Sequence, residues 1–205
     1  MTAPPRWLQV DASKLAQLIV IEPLFEEANR CRRLVAQILR ALDAKGVATA
    51  ILQLPGTGES EIGISEVRLE DWRAALADAS PLLIASFRGG TIIDDAGSAR
   101  SVWRFAPETG ARIVRDLKRA SLTSGETELY AGHRLGGAFL DELATAKPAV
   151  LEAVRTVRLA SDAGDADLKV AGSPLWRRAE PGEDPALAAV LADDLLAWVK
   201  TCAVS

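Results

Sequence analysis

The sequence predicts a three-layer α/β domain built around a mostly parallel sheet of about six strands. Short apolar runs alternate with segments of helical periodicity along most of the 205 residues, which is typical of successive strand–helix units. The composition, 49% hydrophobic and 25% charged, is that of an ordinary globular protein. A chain of this length forms one core, so we expect residues 1–205 to be a single domain.

Strands are predicted where apolar runs are short and end at turn residues, and helices where apolar residues recur every three to four positions. Gly46 is placed to end the first helix, and Pro107 to occupy the first turn of the third. Asp184 is expected to cap the last helix, which begins at Pro185. The predicted elements are strand 18–21, helix 26–45, strand 47–54, helix 69–79, strands 81–86 and 101–105, a helix from 107, strands 154–159 and 168–171, and a helix from 185.

Charge and cysteine content narrow the classes of partner. The net charge of −4 argues against nucleic acid, which needs a basic surface. Cys31 and Cys202 are far apart and match no metal-binding or disulfide pattern, and a single histidine excludes a histidine metal cluster. We therefore predict neither a metal nor a cofactor. No apolar run is long enough to span a bilayer, and residues 1–14 lack a signal-peptide core, so a cytoplasmic location is expected.

The end of the third predicted strand carries the most informative pattern. Ser86, Arg88 and Gly90 fit the steric template of a nucleophile elbow, which needs small residues two positions before and after the nucleophile. Arg88 fills the nucleophile position, but arginine is always protonated and has no lone pair for attack. A triad would also need a histidine after the last strand, and residues 172–181 contain none. A plain strand followed by a glycine turn explains the same residues.

A dense polar segment begins the first helix. Glu26, Glu27 and Asn29 follow the first strand, and Arg88 follows the third. Since carboxyl ends of parallel strands share one edge of the sheet, we predict that Glu26 or Glu27 pairs with Arg88. Glu26, Glu27, Asn29 and Arg88 would then form a charged crevice that binds a ligand. A solvated helix N-terminus remains the simpler alternative.

Other candidates carry weaker signals. Ser86 or Ser60 could serve as a displaced nucleophile, with His133 as its base, and Asp162 follows the fifth strand where a triad acid would lie. The loop 54–60 contains Gly-x-Gly but lacks the further glycine or lysine of a nucleotide-binding motif. The less regular segment 123–148 is interpreted as a small cap.

The residues Glu-Pro-Leu-Phe-Glu-Glu-Ala-Asn-Arg-Cys-Arg-Arg at 22–33 resemble the Pro-Pro-Phe-x-Glu-Glu-x-Asn-x-x-Arg-Arg motif of the exosortase A system-associated hydrolase 2 family. These are α/β-hydrolase-like proteins encoded with bacterial exopolysaccharide and PEP-CTERM sorting systems. The similarity extends through 54–60, Trp72, 87–90, 101–122 and 176–185, so it covers about residues 17–200. Glu22 departs from the motif, which has proline there.

The resemblance implies an α/β-hydrolase-like fold. The sequence departs from the family pattern between Gly90 and Ser101, where little room remains for the helix that normally follows the elbow, so the predicted fold is a reduced one. It also implies a small-molecule or protein partner from the exopolysaccharide machinery, and it is compatible with a homodimer. Three functions follow: a protein that binds a small molecule at the charged crevice, a catalytically inactive scaffold, and an esterase with an atypical nucleophile. The sequence leaves open whether the chain is an enzyme.

Overall fold

A computed structural model describes residues 17–58, 60–80, 82–124 and 129–204. Six strands form one sheet in which every pairing is parallel, in the order β2-β1-β3-β4-β5-β6. The strands are β1 (Gln17–Ile21), β2 (Ala48–Ile51), β3 (Leu83–Phe87), β4 (Ser101–Phe105), β5 (Val154–Leu159) and β6 (Leu168–Val170). The helices are α1 (Glu26–Asp43), α2 (Leu69–Ala79), α3 (Gly110–Ser124), α4 (Gly137–Thr145) and α5 (Pro185–Val204). The predicted three-layer α/β fold with about six strands is confirmed.

The sheet is buried on both faces, which is why its strands are continuous apolar runs instead of alternating ones. Along β1, Leu18 and Val20 join one core cluster, and Ile19 and Ile21 join the other. Side chains of α1 and α5 complete the first cluster, and side chains of α2, α3 and α4 complete the second. The carboxyl ends of the strands therefore open at one edge between two helical layers, where ligands bind in folds of this kind.

Some element boundaries agree with the prediction and others differ from it. Asp184 caps α5 as expected, because its Oδ1 accepts a hydrogen bond from the Leu187 amide at 3.0 Å. Pro107 does not begin a helix, so that prediction was wrong: Ala106 turns back at a φ of 47°, and α3 starts only at Gly110. The second strand is shorter than predicted because it lies at the sheet edge and pairs only with β1.

The connection between β3 and β4 is short, as the spacing of Gly90 and Ser101 in the sequence indicated. A 3₁₀ turn over Arg88–Ile92 replaces a long helix. Two acidic residues that follow it are tied to the body of the domain, because Asp95 pairs with Arg73 at 2.8 Å and Asp94 pairs with Arg104 at 2.6 Å. These ion pairs fix the chain where a helix would otherwise pack.

The segment predicted as a cap contains α4 and a bridge between Tyr130 and His133. Phe139 and Leu143 of α4 are fully buried in the core cluster shared with α2 and α3. Gly110 permits the close approach of α3, since a Cβ there would lie 1.7 Å from the carbonyl oxygen of Leu143. Residues 125–128 of this segment, and the N-terminal residues 1–14 that were examined for a signal peptide, lie outside the described residues.

Candidate functional site

The chain makes a sharp turn where β3 ends. Arg88 has a φ of 51°, in the left-handed region that non-glycine residues seldom adopt. The hydroxyl of Thr91 donates to the Arg88 carbonyl at 2.7 Å and holds the turn. A Cβ on Gly90 would lie 2.7 Å from the carbonyl oxygen of Glu22, so only glycine fits there. The backbone therefore has the strained geometry predicted for a nucleophile elbow, with Arg88 at its apex.

The Arg88 guanidinium is held from several sides. Its Nε and Nη2 each donate at 3.0 Å to one carboxylate oxygen of Glu27, which makes a two-pronged ion pair. Nη2 also donates to Glu108 at 3.3 Å, and Nη1 donates to the Ala106 carbonyl at 3.0 Å. The exposed fraction is 6% for the Arg88 side chain, 22% for Glu27 and 14% for Glu108. The expected pairing of Glu26 or Glu27 with Arg88 is observed, and the partner is Glu27.

An indole ring closes the same cluster. The Arg88 guanidinium carbon lies 4.3 Å from the centre of the Trp176 ring, a cation–π contact. Trp176 belongs to the loop after β6, where a triad would place its histidine. The Arg30 guanidinium donates to the Trp176 carbonyl at 3.0 Å and fixes that loop against α1. Trp176 thus covers Arg88 in the position from which a histidine would activate a nucleophile.

The electrostatics of the cluster are balanced. Burial lowers the pKa of Arg88, but the carboxylates of Glu27 and Glu108 raise it by more, so Arg88 is firmly charged. Arg112 pairs with Glu108 at 3.2 Å. A chain of alternating charges therefore runs through Glu27, Arg88, Glu108 and Arg112. These four residues and Trp176 are called the arginine cluster below. It joins α1, the elbow, the β4–α3 connection and α3.

The other predicted ligand-binding residues lie differently. Asn29 is exposed, two positions from Glu27 and hence on the opposite side of α1. Glu26 is half-buried at the first turn of α1, and the guanidinium is bonded by Glu27 instead. The structure thus brings Glu27 and Arg88 together and leaves Asn29 outside.

Asp162 lies after β5, close enough to Arg88 for that charge to affect its titration. Its carboxylate accepts from Arg158 Nη1 at 2.7 Å and from the Gly164 amide at 3.0 Å. Burial raises the pKa of Asp162, but these two bonds and the positive charge of Arg88 outweigh it and lower the pKa. The position expected for a triad acid therefore holds an ionised carboxylate that is engaged by Arg158.

Ser86 belongs to a second, buried network. It is fully buried, and its Oγ donates to Asp94 at 2.6 Å. Arg104 donates to both oxygens of the same carboxylate, at 2.8 and 2.6 Å, and to the Ala149 carbonyl. Ser86 thus supports the floor of the elbow, and its hydroxyl is committed to a carboxylate in a water-excluded position.

His133 and Ser60 are not arranged as a base and a nucleophile. The His133 ring packs edge-on against Phe25 at 5.7 Å, and its backbone bridges to Tyr130. The Ser60 Oγ accepts from the Gly56 and Ile62 amides, which orders the loop after β2. Each of these side chains therefore has a local structural role.

Two of the residues that contact Arg88 escaped the prediction from individual residues. Glu108 reaches Arg88 only because the chain turns at Ala106 before α3 begins. Trp176 reaches it across the sheet edge from a loop late in the chain. Trp176 begins the segment 176–185 that resembles the family, but no local pattern relates it to Arg88.

The described ranges contain no group of three or more side chains suited to hold a metal. Within them, no helix combines the length and apolar character that crossing a membrane requires. One cavity of about 510 Å³ lies at the opposite, amino-terminal edge of the sheet, between α5 and the starts of β4 and β5, near Ser101, Val154 and Trp198.

No protein-family model and no curated protein matches the chain. Solved structures do match it across its length. The esterase domain of a Rhodothermus marinus protein superposes with a TM-score of 0.56 at 17% identity, covering 94% of this chain and 89% of that one. A putative hydrolase from Agrobacterium vitis S4 superposes with a TM-score of 0.53 at 12% identity, covering 91% and 90%. The chain therefore has an α/β-hydrolase-like fold, and at these identities the likeness concerns the fold alone.

Proposed function

We propose that this α/β-hydrolase-fold chain is a non-catalytic interaction protein, in which the arginine cluster occupies the place of a Ser-His-Asp site. One observation carries the proposal: the elbow position holds Arg88, bonded to Glu27, Glu108 and the Ala106 carbonyl and covered by Trp176. A guanidinium provides no nucleophile, and an indole ring provides no base. The loops that would form an active site are tied to one another instead of to a substrate.

The same geometry argues against Arg88 as the main clamp of a small molecule. Four of its five N–H donors are already used by protein acceptors. An anionic ligand would have to displace Glu27, which holds two of those donors in a fork. The cluster therefore supports a rigid sheet edge that presents a fixed surface to a partner.

Ester turnover is the direct test. Native protein is incubated with p-nitrophenyl esters of short and medium acyl chains, and with a fluorophosphonate probe that labels activated serines. We expect turnover equal to buffer and no labelled serine by mass spectrometry. Ser86→Ala is the matched variant, because it removes the serine hydroxyl two positions before Arg88. Turnover in native protein that is lost in Ser86→Ala would refute the proposal in favour of an atypical esterase.

Small-molecule binding at this edge is the second candidate. It rests on the fifth N–H of Arg88, which has no acceptor within the described ranges, and on the neighbouring carboxylates of Glu26 and Asp162. Here Glu26, Glu27 and Arg88 would contact the ligand, whereas Asn29 lies on the opposite side of α1. A thermal-shift screen of small carboxylic acids and amines tests it, since a true ligand stabilises native protein but not Arg88→Met.

The resemblance of residues 22–33 to the exosortase A system-associated hydrolase 2 motif supports a partner from bacterial exopolysaccharide or PEP-CTERM machinery. Purified components of such a system, tested individually for direct binding, would check this assignment. A binding constant unchanged by Arg88→Met would favour a scaffold whose contact surface lies outside the crevice. A constant weakened by that variant would place the contact at the arginine cluster.

A further inference from the structure

The outer face of α3 carries a groove of about 450 Å³, away from the arginine cluster. We call it the basic groove. Its lining is formed by six residues of one helix: Ala111, Val114, Arg115, Lys118, Arg119 and Leu122.

The groove follows a regular stripe of the helix. Positions 111, 115, 118 and 122 recur at intervals of four and three residues, so their side chains lie one above another. Leu117 lies on the inner face and is buried in the domain core, and Val114, which also borders the groove, is buried as well. The stripe therefore faces outward, with small Ala111 at one end and Leu122, 84% exposed, at the other.

The charge of α3 is opposite to that of the whole chain. Between 110 and 122 the sequence has four basic residues and one acidic residue, whereas the chain carries a net −4. Arg115 contacts Asp116 at 3.9 Å, but both side chains are more than half exposed, so the pair is weak. Lys118 forms no ion pair with any residue that the structure describes. The stripe thus presents the positive charges of Arg115 and Lys118 between Ala111 and the exposed Leu122.

We propose that the basic groove binds an acidic amphipathic helix of a protein partner. The stripe from Ala111 to Leu122 is about 16 Å long, the length of three helical turns. A partner helix with apolar residues for the two ends and carboxylates between them matches both the shape and the charge of this stripe. The inference does not depend on the proposed function, because the stripe formed by Ala111, Arg115, Lys118 and Leu122 shares no residue with the arginine cluster.

A membrane surface fits the groove less well than a protein partner. Binding to anionic lipid needs a continuous apolar face that enters the bilayer. The apolar face of α3 is already packed against the sheet, and on the outer stripe Leu122 is the one large exposed apolar side chain among the groove residues. The net negative charge of the chain would also oppose approach to anionic lipid.

The test uses a fluorescein-labelled, alanine-rich peptide of about 20 residues, because isolated helices shorter than about 15 residues are marginal in water. Its glutamates are spaced to face Arg115 and Lys118, with leucine at either end. A second peptide replaces glutamate by glutamine, and vesicles containing phosphatidylserine provide the lipid arm. Binding to the native full chain is followed by fluorescence anisotropy at low and moderate salt.

Two charge-reversal variants are matched in net charge. Arg115→Glu/Lys118→Glu changes the groove, and Arg40→Glu/Lys45→Glu changes two exposed basic residues at the end of α1. All four positions are exposed, so both variants should fold, as circular dichroism will verify. We expect saturable binding of the glutamate peptide, weakened roughly tenfold by the groove variant and little by the control. Leu122→Ser should also weaken binding.

Three results would overturn the proposal. The first is no saturable binding of the glutamate peptide to native protein. The second is an equal loss in both charge variants, which would mean that only net charge matters. The third is binding to the vesicles without binding to the peptide, which would assign the groove to a membrane. None of these results bears on ester turnover, so the outcome is separate from that of the proposed function.

Discussion

The arginine cluster should be a main determinant of stability, and Arg88→Met tests this directly. Methionine keeps an unbranched side chain in the elbow but removes the cation. Glu27, only 22% exposed, would lose both of its guanidinium bonds, whereas Glu108 would keep Arg112. Breaking a buried ion pair by removing one partner costs roughly 3–5 kcal/mol. Because water can reach part of Glu27, we expect a loss of about 3 kcal/mol in the free energy of unfolding, including the lost contact with Trp176.

Two further variants separate the pair from its surroundings. Arg112→Met removes a partly exposed partner of the same cluster, and should cost less than about 1 kcal/mol. In the double variant Arg88→Met/Glu27→Leu no carboxylate is stranded, since an apolar pair replaces the ionic one. We therefore expect the double variant to be more stable than Arg88→Met alone.

The assay is urea unfolding monitored by tryptophan fluorescence, with the shift in midpoint read at unchanged m-value. An Arg88→Met protein within about 0.5 kcal/mol of native protein would show that the cluster contributes little to stability. A double variant destabilised by the full sum of its two single changes would show that Glu27 and Arg88 act independently. Either result would refute the reasoning about the elbow.

Three other predictions concern buried groups. Burial raises the pKa of Glu22, and the positive charge of Arg32 lowers it by less. Glu22→Gln should therefore stabilise the fold at pH 7, where the native carboxylate is charged. Urea unfolding should show that this gain vanishes as the pH falls below 4.5, the ordinary pKa of glutamate. Burial raises the pKa of Cys31 to about 12, so Ellman's reagent at pH 8 should label only Cys202 in the folded protein. In urea it should label both thiols. Two rapidly labelled thiols in the folded protein would contradict the prediction. Asp94→Asn removes the charge opposite the buried Arg104 and should cost roughly 3–5 kcal/mol by the same unfolding assay; a loss below about 1 kcal/mol would count against the network.

Much of the fold could be predicted because its signals are local. The boundaries of β4 and β5 agree with prediction, since each is a short apolar run ended by a turn. The elbow could be predicted because the backbone after β1 lies too close to Gly90 to leave room for a side chain. A small residue at a fixed spacing after the strand indicates such a close approach. Arg88 and its acidic partner followed from topology, because parallel strands bring their carboxyl ends to one edge.

The rest of the site depends on contacts that no local pattern encodes. Asn29 was grouped with Glu27 by proximity in sequence, but a helix rotates about 100° per residue and carries Asn29 to the solvent side. Glu108 was hidden because Pro107 suggested an early helix start, whereas the left-handed turn at Ala106 directs the chain back to the elbow. Trp176 meets Arg88 through folding of the whole sheet, which sequence spacing cannot show.

The changes around the elbow are physically connected. In a hydrolase the helix after the elbow directs its positive N-terminal dipole at the site, which favours a developing negative charge. Here a 3₁₀ turn replaces that helix, and a full positive charge stands at the apex itself. Such a charge needs buried carboxylates, which Glu27 and Glu108 supply. Those carboxylates would in turn oppose the formation of an oxyanion beside them. Replacing Arg88 by serine alone would therefore place a hydroxyl in a negative field and beside an indole instead of a histidine, so the proposed structural role of the elbow predicts that this variant has no ester turnover.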